Sequence, residues 1–340
     1  MANERVLIVG AGALGIVTGY HLQLAGAQVD FLVRQGRLPA LAEPQVLYCY
    51  DDHELKRFSG YGSYASVMDA KSGGPYDFVI VTMDGATCRG EEATALLADL
   101  GDAIRDTKAY AMISGVGVRD YCRDVMKLPD ERVVEGTMGI LSYQTDRVTL
   151  PLNPPTDAAK LAQASMGYKH MGKNPGFMVV GQPAAAAQAF KALYDRSGVS
   201  KAAIFKGKMF EMFAASIFVT MAQFDMKGWP HADVLAADKD LMALGSRATK
   251  EAMRLPQFGL MGKLMSLMMG PGSMAKNNAK MEAICLPVDY SAFNQFHHGG
   301  KVREQDIQVL RDTLASGRSQ GRAMLALTEL LERYEAHIRS

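Results

Sequence analysis

The stretch Arg5-Val6-Leu7-Ile8-Val9-Gly10-Ala11-Gly12-Ala13-Leu14-Gly15 decides the fold of the N-terminal part of the chain. Its continuous apolar run is typical of a parallel strand that is buried on both faces. The glycines that follow form a GxGxxG pattern at the start of a helix, as in a dinucleotide-binding β-α-β unit. The N–H groups at the start of that helix are expected to face bound phosphates. The predicted cofactor-binding residues of this loop are Gly10, Gly12, Ala13, Leu14 and Gly15.

The end of the second predicted strand indicates which dinucleotide is bound. An acidic residue at this place would bond the ribose 2′-hydroxyl of NAD, whereas arginine suits the 2′-phosphate of NADP. The strand ends in Arg34, and Arg37 follows three residues later. Asp30 is the competing candidate for an NAD site, but it falls early in the strand. The sequence therefore predicts NADP, used as NADPH, as the cofactor.

Composition restricts the classes of function. The 340 residues are 48% hydrophobic and 21% charged, with a formal net charge of +1, which argues against a nucleic-acid partner. Four cysteines lie far apart without a metal-ligand spacing, so we expect reduced thiols and no metal site. The apolar runs are too short to span a bilayer and no signal peptide precedes the first strand. We expect a cytoplasmic protein that binds a small-molecule substrate and no membrane.

The pattern along the chain predicts two domains. Residues 1–182 alternate β-rich runs with helical stretches, which indicates a doubly wound parallel sheet of the Rossmann type. Residues 183–340 carry helical periodicity and predict a mostly α-helical domain. The predicted strands are Arg5–Gly10, Gln28–Arg34, Gln45–Tyr50, Asp77–Met83, Lys108–Ser114, Arg132–Thr137, Arg147–Leu152 and Phe177–Val180. The predicted helices include Leu14–Ala25, Gly90–Arg105, Ala184–Arg196, Met209–Met226, Ala232–Ala252, Lys301–Ser316 and Arg322–Arg339.

The glycine loop at the N-terminus, the arginine after the second strand and the helical second half together resemble the ketopantoate reductase family. This resemblance implies an NADPH-dependent reductase that forms a homodimer. The family's Asn-Gly-Met-Gly turn beside the nicotinamide corresponds to Ser114-Gly115-Val116-Gly117, so Ser114 and Gly115 are implied cofactor contacts. The family's lysine after the fourth strand is replaced by Asp84.

The second domain departs from the family pattern. The family carries a catalytic lysine on the first long helix, followed by two asparagines, and the lysine protonates the carbonyl oxygen. The best register here places Met212 at the lysine position, with Ser216 and Thr220 at the asparagine positions, and a slip of one residue would place Glu211 there instead. The family's Ser-Met pair survives as Ser273-Met274, but Pro287 replaces its glutamate. These changes argue against ketopantoate as the substrate.

The segment 289–301 is dense in polar and aromatic residues and is the candidate source of another proton donor. Histidine titrates near neutral pH, so His297 or His298 could supply the proton, with Tyr290 or Lys301 as alternatives. His298 is preferred because the resemblance places it nearest the family's own Asn-Gly turn. The competing interpretation is a loop cap with solvated histidines. The predicted catalytic residues are His298, Ser216 and Asn294, and the predicted substrate-binding residues are Thr220, Ser273, Met274 and Tyr290.

A methionine-rich stretch from Met253 to Met281 has two interpretations, a filled irregular core or an adaptable apolar pocket wall.

The sequence features taken together allow three functions. The first is an NADPH-dependent oxidoreductase that acts on a carbonyl or hydroxy compound bulkier and more apolar than ketopantoate. The second is a redox-neutral lyase or isomerase of a bulky apolar, even aromatic, substrate. The third is a nucleotide-sensing protein without catalysis.

Overall fold

A computed structural model describes residues 4–339 and divides the chain into two compact units. The first unit ends at Lys206 and the second begins at Gly207. The expected boundary near residue 182 falls too early, because the helix Ala184–Asp195 and the strand Ala202–Phe205 belong to the first unit. That strand pairs in parallel with Phe177–Val180 and so completes the sheet of the first unit.

Within the described residues of the first unit, from position 4 onward, twelve strands form two sheets. The larger sheet has the order β12-β11-β8-β7-β6-β1-β2-β5, and the smaller has the order β4-β3-β10-β9. The strands are β1 (Arg5–Val9), β2 (Gln28–Leu32), β3 (Gln45–Cys49), β4 (Glu54–Phe58), β5 (Gly62–Tyr64), β6 (Phe78–Val81), β7 (Tyr110–Ile113), β8 (Val133–Met138), β9 (Ile140–Gln144), β10 (Met166–His170), β11 (Phe177–Val180) and β12 (Ala202–Phe205).

The larger sheet is parallel from β5 through β8, and β11 alone pairs antiparallel to β8. Alternate residues of β1 enter two different core clusters, with Val6 and Ile8 on one face and Leu7 and Val9 on the other. A strand covered on both faces explains the uninterrupted apolar run in the sequence. The predicted α/β class with a parallel sheet is confirmed.

Helices connect these strands. They are α1 (Ala13–Leu24), α2 (Leu38–Ala42), α3 (Val67–Gly73), α4 (Gly85–Cys88), α5 (Glu91–Ile104), α6 (Arg119–Met126), α7 (Ala158–Leu161) and α8 (Ala184–Asp195). The smaller sheet was only partly foreseen, since only β3 was predicted. The predicted strand Arg147–Leu152 is wrong, because the backbone turns where the Arg147 N–H donates to the Gln144 carbonyl at 3.1 Å and Pro151 lacks an N–H for a ladder.

The second unit is helical, as predicted. Its helices are α9 (Gly207–Met226), α10 (Ala232–Ala237), α11 (Lys239–Met253), α12 (Gly259–Leu267), α13 (Pro271–Cys285), α14 (Tyr290–Phe296), α15 (Arg303–Ser319) and α16 (Leu325–Arg339), with a π-helical turn over His297–Lys301. The single helix expected over Ala232–Ala252 is two, because Asp238 leaves the helical conformation and its carboxylate accepts the Leu241 N–H at 3.1 Å. Within residues 4–339 no helix is long and apolar enough to cross a bilayer.

A buried carboxylate ties the second unit together. Asp225 near the end of α9 accepts hydrogen bonds from the Trp229 indole at 2.9 Å and the Tyr334 hydroxyl at 2.8 Å. Its Oδ2 also lies 2.9 Å from the Nε of Arg303. Because a buried carboxylate needs partners for both oxygens, this network fixes α9 against α15 and α16. It brings the start of α15 into a defined position beside the π-helical turn.

Candidate functional site

The glycine loop follows β1 in a conformation that only glycine adopts easily. Gly10 has φ of +102°, and its N–H donates to the Leu32 carbonyl at 2.9 Å. A methyl group added at Gly15 would lie 2.2 Å from the Gly10 carbonyl oxygen, so the helix start packs directly on the loop. Thr82 supports the turn from β6, since its hydroxyl donates to the Val9 carbonyl at 2.9 Å. The first and third glycines are therefore required by the protein's own packing.

Gly12 differs from the other two loop glycines. A methyl group added there would have no atom of the protein within 4 Å. Gly12 is also the N-cap of α1, and no side chain caps the helix or places an acidic group in its first turn. The first N–H groups of the helix, which include Ala13 and Leu14, thus lack a capping acceptor. The helix dipole and these donors favour an anion next to Gly12.

The neighbouring strands add a second edge to this site. Ser114 follows β7, is buried, and its hydroxyl has no hydrogen-bond partner among the described residues. Gly115 sits so close to the loop after β6 that an added methyl group would lie 3.1 Å from the Met83 carbonyl oxygen. Asp84, at the position of the family lysine, caps α4 by accepting the Thr87 N–H at 2.9 Å. Residue 84 is therefore an acidic helix cap and not a positively charged side chain.

The two arginines of the second strand's end occupy different environments. Arg37 places Nη2 3.3 Å from the Ala11 carbonyl oxygen, directly beside the glycine loop. Arg34 is exposed, and its guanidinium makes no hydrogen bond or ion pair with the residues between 4 and 339. Asp30, by contrast, is buried and accepts bonds from the Gly62 N–H at 3.1 Å and the Tyr76 hydroxyl at 3.0 Å. Both of its oxygens thus have partners within the first unit.

These residues fit a dinucleotide. The open space at Gly12 and the uncapped start of α1 suit a pyrophosphate, and the buried Ser114 hydroxyl needs a partner that the protein does not provide. Arg34 is unpaired and suits a further phosphate. When bound, a nicotinamide dinucleotide supplies hydride chemistry. The protein's own groups then have to supply orientation and a proton.

A histidine–aspartate pair lies in the second unit. His298, in the π-helical turn, has its Nδ1 2.6 Å from Oδ2 of Asp306 in the first turn of α15. The Asp306 side chain is only 3% exposed, whereas that of His298 is 18% exposed. Burial raises the pKa of the Asp306 carboxyl and nearby Asp225 raises it further, while His298 opposes both effects. The edge of the Phe218 ring packs against the imidazole, with centroids 6.4 Å apart.

The adjacent histidine is placed differently. His297 stacks on Phe293 with ring centroids 5.7 Å apart. Burial lowers the pKa of His297 well below its usual value, with smaller contributions from His298 and Lys301. The two rings stand at 87° to each other, so the histidines point in different directions. Among residues 4–339, His298 is the one of the two with a carboxylate partner.

The remaining predicted residues are dispersed over the unit. Ser216 is buried on α9, and its carbonyl accepts the Thr220 hydroxyl at 3.2 Å. The Asn294 amide donates to the Tyr290 carbonyl at 2.8 Å, and the Ser273 hydroxyl donates to the Gly270 carbonyl at 2.9 Å. These hydroxyl and amide groups are engaged with nearby backbone.

Met274 and Tyr290 belong to one apolar cluster around Trp229 and Phe224. Met274 is buried there, and burial raises the pKa of the Tyr290 phenol. Met212, at the family's lysine position, is also buried. The methionine-rich stretch contains both buried and exposed residues. Met253 and Met274 lie in the core, whereas Met261 and Met268 are exposed.

The sequence analysis did not identify two residues that hold the candidate site residues in place, Asp306 and Thr82. Asp306 lies eight residues beyond His298, a spacing that links them only because a π-helical turn precedes α15. Thr82 supports the glycine loop from a different strand. The signal for Asp306 was an acidic residue in the first turn of a predicted helix next to two histidines, which also matches an ordinary helix start.

One group of potential metal ligands also forms, although the spacing of the cysteines argued against it. Cys49, Asp51 and His170 place ligand atoms within 4.8 Å of one another at the adjacent ends of β3 and β10. Asp51 already binds the His170 ring at 2.6 Å and the Lys169 ammonium at 2.5 Å. Hydrogen bonds to Asp51 raise the pKa of His170 to about 9, although burial opposes this. The group is an ion-pair cluster of the smaller sheet.

Comparison with known proteins places these features in context. Residues 6–150 match the family model described as ketopantoate reductase PanE/ApbA. No curated protein sequence matches the chain.

Several solved structures share the fold over the whole length. D-mandelate dehydrogenase in a ternary structure with NADH and anilino(oxo)acetate has 12% identity and a TM-score of 0.66, covering 98% of each chain. The 2-dehydropantoate 2-reductase of Geobacter metallireducens GS-15 has 17% identity and a TM-score of 0.62, covering 98% of this chain and 99% of the other. A PanE/ApbA family ketopantoate reductase of Ralstonia eutropha JMP134 has 13% identity and a TM-score of 0.67, covering 98% of each chain. At these identities the likeness concerns the fold.

Proposed function

Because residues 6–150 match the ketopantoate reductase PanE/ApbA family model, we propose that the chain is an NADPH-dependent oxidoreductase of this family. It reduces a carbonyl compound that is bulkier and more apolar than ketopantoate. The observation that carries the proposal is the open, uncapped glycine loop of the first unit. The partly exposed His298 beside the buried Asp306 is the proposed proton donor.

The preference for NADPH rests on the second strand's end. Arg34 is exposed and unpaired within the described chain, and a guanidinium binds a 2′-phosphate through charge-assisted hydrogen bonds. Asp30, the acidic residue that would favour NAD, is satisfied by Gly62, Tyr76 and Arg5. Arg37 holds the glycine loop through the Ala11 carbonyl and adds positive charge to the same place. Gly10, Gly12, Gly15, Ser114 and Gly115 complete the proposed cofactor contacts.

The proton donor is His298. Its Nδ1–H donates to Asp306, which fixes the tautomer and leaves Nε2 as the nitrogen that gives a proton to the developing alkoxide. This pair takes the role of the lysine that Met212 replaces. Ser216 and Asn294 are proposed as polar groups that assist it.

The proposal of an apolar substrate rests on the loss of the glutamate that the family uses to bind the substrate carboxylate. Pro287 replaces the glutamate, and Asp289 is used as the cap of α14 through the Ala292 N–H at 2.8 Å. Thr220, Ser273, Met274 and Tyr290 are proposed to line the substrate, and their surroundings are rich in methionine and aromatic side chains. We propose that the protein acts in the cytoplasm as a homodimer, following the family.

A direct assay tests the function. The purified protein is mixed with NADPH and a panel of carbonyl compounds of increasing apolar size, and absorbance at 340 nm is followed. Loss of absorbance that depends on an apolar carbonyl compound supports the proposal. Product without net loss of NADPH would favour a redox-neutral lyase or isomerase, and no product with any compound would favour a nucleotide sensor.

A further inference from the structure

Helix α12 has its large apolar side chains on the outside. Leu260, Met261, Leu264, Leu267 and Met268 are each between 52% and 71% exposed. Their spacing of one, four, seven and eight residues places them within roughly a third of the helix circumference. They form one continuous apolar face, here termed the α12 face.

The inner side of α12 fixes this orientation. A methyl group added at Gly262 would lie 2.0 Å from the Met253 carbonyl oxygen, so the helix approaches α11 at this glycine. Ser266 accepts a hydrogen bond from the Arg254 Nε at 2.8 Å and donates to the Lys263 carbonyl at 2.7 Å. An ordinary surface helix packs its apolar side inward. Here the small and polar residues are inward, so the α12 face is held outward.

The segment that contains the α12 face carries charges of one sign. Between residues 252 and 281 the chain has four basic residues, namely Arg254, Lys263, Lys276 and Lys280, and no acidic residue. The three lysines are exposed. The nearest acidic groups on either side are engaged elsewhere, since Glu251 accepts the Leu327 N–H and Glu282 accepts the Ala232 N–H. The apolar face therefore lies within a segment whose charged side chains are all basic.

We propose that the α12 face docks on an anionic lipid surface. Leucine and methionine side chains enter the boundary between headgroups and acyl chains, while lysine heads reach the lipid phosphates. A second copy of the chain is disfavoured, because a two-fold contact would bring each basic flank against its own copy without an acidic partner. The proposal does not depend on the proposed function, since it concerns a surface outside the cofactor site.

Vesicle binding tests the proposal. The whole protein is sedimented with vesicles of phosphatidylcholine alone or of phosphatidylcholine with phosphatidylglycerol. We expect binding only to the anionic vesicles, reduced at least about tenfold in the double variant L264S/L267S and weakened by high salt. The matched control is L325S, because Leu325 on α16 is 73% exposed and lies outside the segment. Equal binding of L264S/L267S and wild type would overturn the proposal.

A fluorescent label on the α12 face gives a second measurement of vesicle binding, and it requires only one substitution. All four native cysteines are buried, so a cysteine introduced by L264C accepts an environment-sensitive fluorophore selectively. We expect a blue shift on addition of anionic vesicles, and none for the same label at L325C. A blue shift that appears with rising protein concentration alone, together with a doubled mass in light scattering, would show a second copy on the face and would overturn the proposal.

Discussion

The Nδ1 atom of His298 lies 2.6 Å from Oδ2 of Asp306, a carboxylate that is almost completely buried. In the proposed mechanism Nδ1 donates to this carboxylate and Nε2 transfers the proton. The neighbouring His297 stacks on Phe293 and has a pKa well below the usual range because it is buried. These contacts are the basis on which we propose the pair as the general acid.

Substitution of the pair should lower turnover. H298Q removes the imidazole that is proposed to give the proton, and we expect kcat to fall by about 10²–10⁴ with little change in NADPH affinity. D306N keeps the shape but replaces the carboxylate that orients the imidazole ring, so a smaller loss of kcat is expected. Both are measured at 340 nm.

The control for this series is H231Q. His231 pairs with Glu282 in the same unit, but its side chain is 66% exposed. Turnover of H231Q should match the wild type. If H298Q also matches the wild type, His298 is not the proton donor.

Removal of the Arg34 guanidinium should change cofactor selectivity. R34A loses the charged partner of the 2′-phosphate, so the Kd for NADPH should rise about tenfold to a hundredfold while that for NADH changes little. Fluorescence titration measures both constants. R57A is a matched control on β4, since Arg57 is likewise exposed. Parallel loss of NADH and NADPH affinity in R34A would be inconsistent with a phosphate contact.

Two glycine variants separate cofactor binding from folding. G12A adds a methyl group where no protein atom lies within 4 Å, so its Tm should stay near the wild-type value while dinucleotide affinity falls by at least about tenfold. G15A places the methyl group 2.2 Å from the Gly10 carbonyl oxygen and should lower Tm. Thermal unfolding with and without NADPH measures both effects. Wild-type affinity in G12A would exclude the loop as the pyrophosphate site.

The His170–Asp51 ion pair predicts a pH dependence of stability. In the folded protein the bonds to Asp51 raise the pKa of His170 to about 9, whereas an ordinary histidine side chain has a pKa of 6.5. Its contribution to the free energy of unfolding is therefore complete below pH 6.5 and is lost as pH rises through 9. Denaturant titrations should show the difference between wild type and H170Q shrinking over this range, by up to about 3 kcal/mol. A constant difference from pH 6 to 10 would contradict the ion pair.

Much of the first unit could be predicted because its pattern is local. The apolar run of β1, the glycine loop and the arginine after β2 follow one another within thirty residues. The pairing of the smaller sheet could not be predicted from the sequence. Its strand β3 pairs with β10 more than a hundred residues away, and hydrophobic alternation does not specify such a partner. The domain boundary was misplaced for the same reason, because β12 joins the sheet only through its pairing with β11.

The candidate site was predictable to a different degree in each unit. Backbone requirements identify Gly10 and Gly15, because φ and close packing exclude other residues there. The partner of His298 could not be read from the sequence, since the π-helical turn that brings Asp306 close has no pattern of its own. The outward-facing leucines of α12 were also hidden, because periodicity shows that a face is apolar but not which way it points.

Transfer of deuterium tests the central claim most directly. The protein is incubated with an apolar carbonyl substrate from the panel and with NADPH that carries deuterium at C4, prepared separately in each of its two configurations. We predict that one of the two cofactors delivers one deuterium to the carbonyl carbon for each NADPH oxidised, and that H298Q slows this transfer. Product that forms without deuterium and without NADPH oxidation would contradict the account.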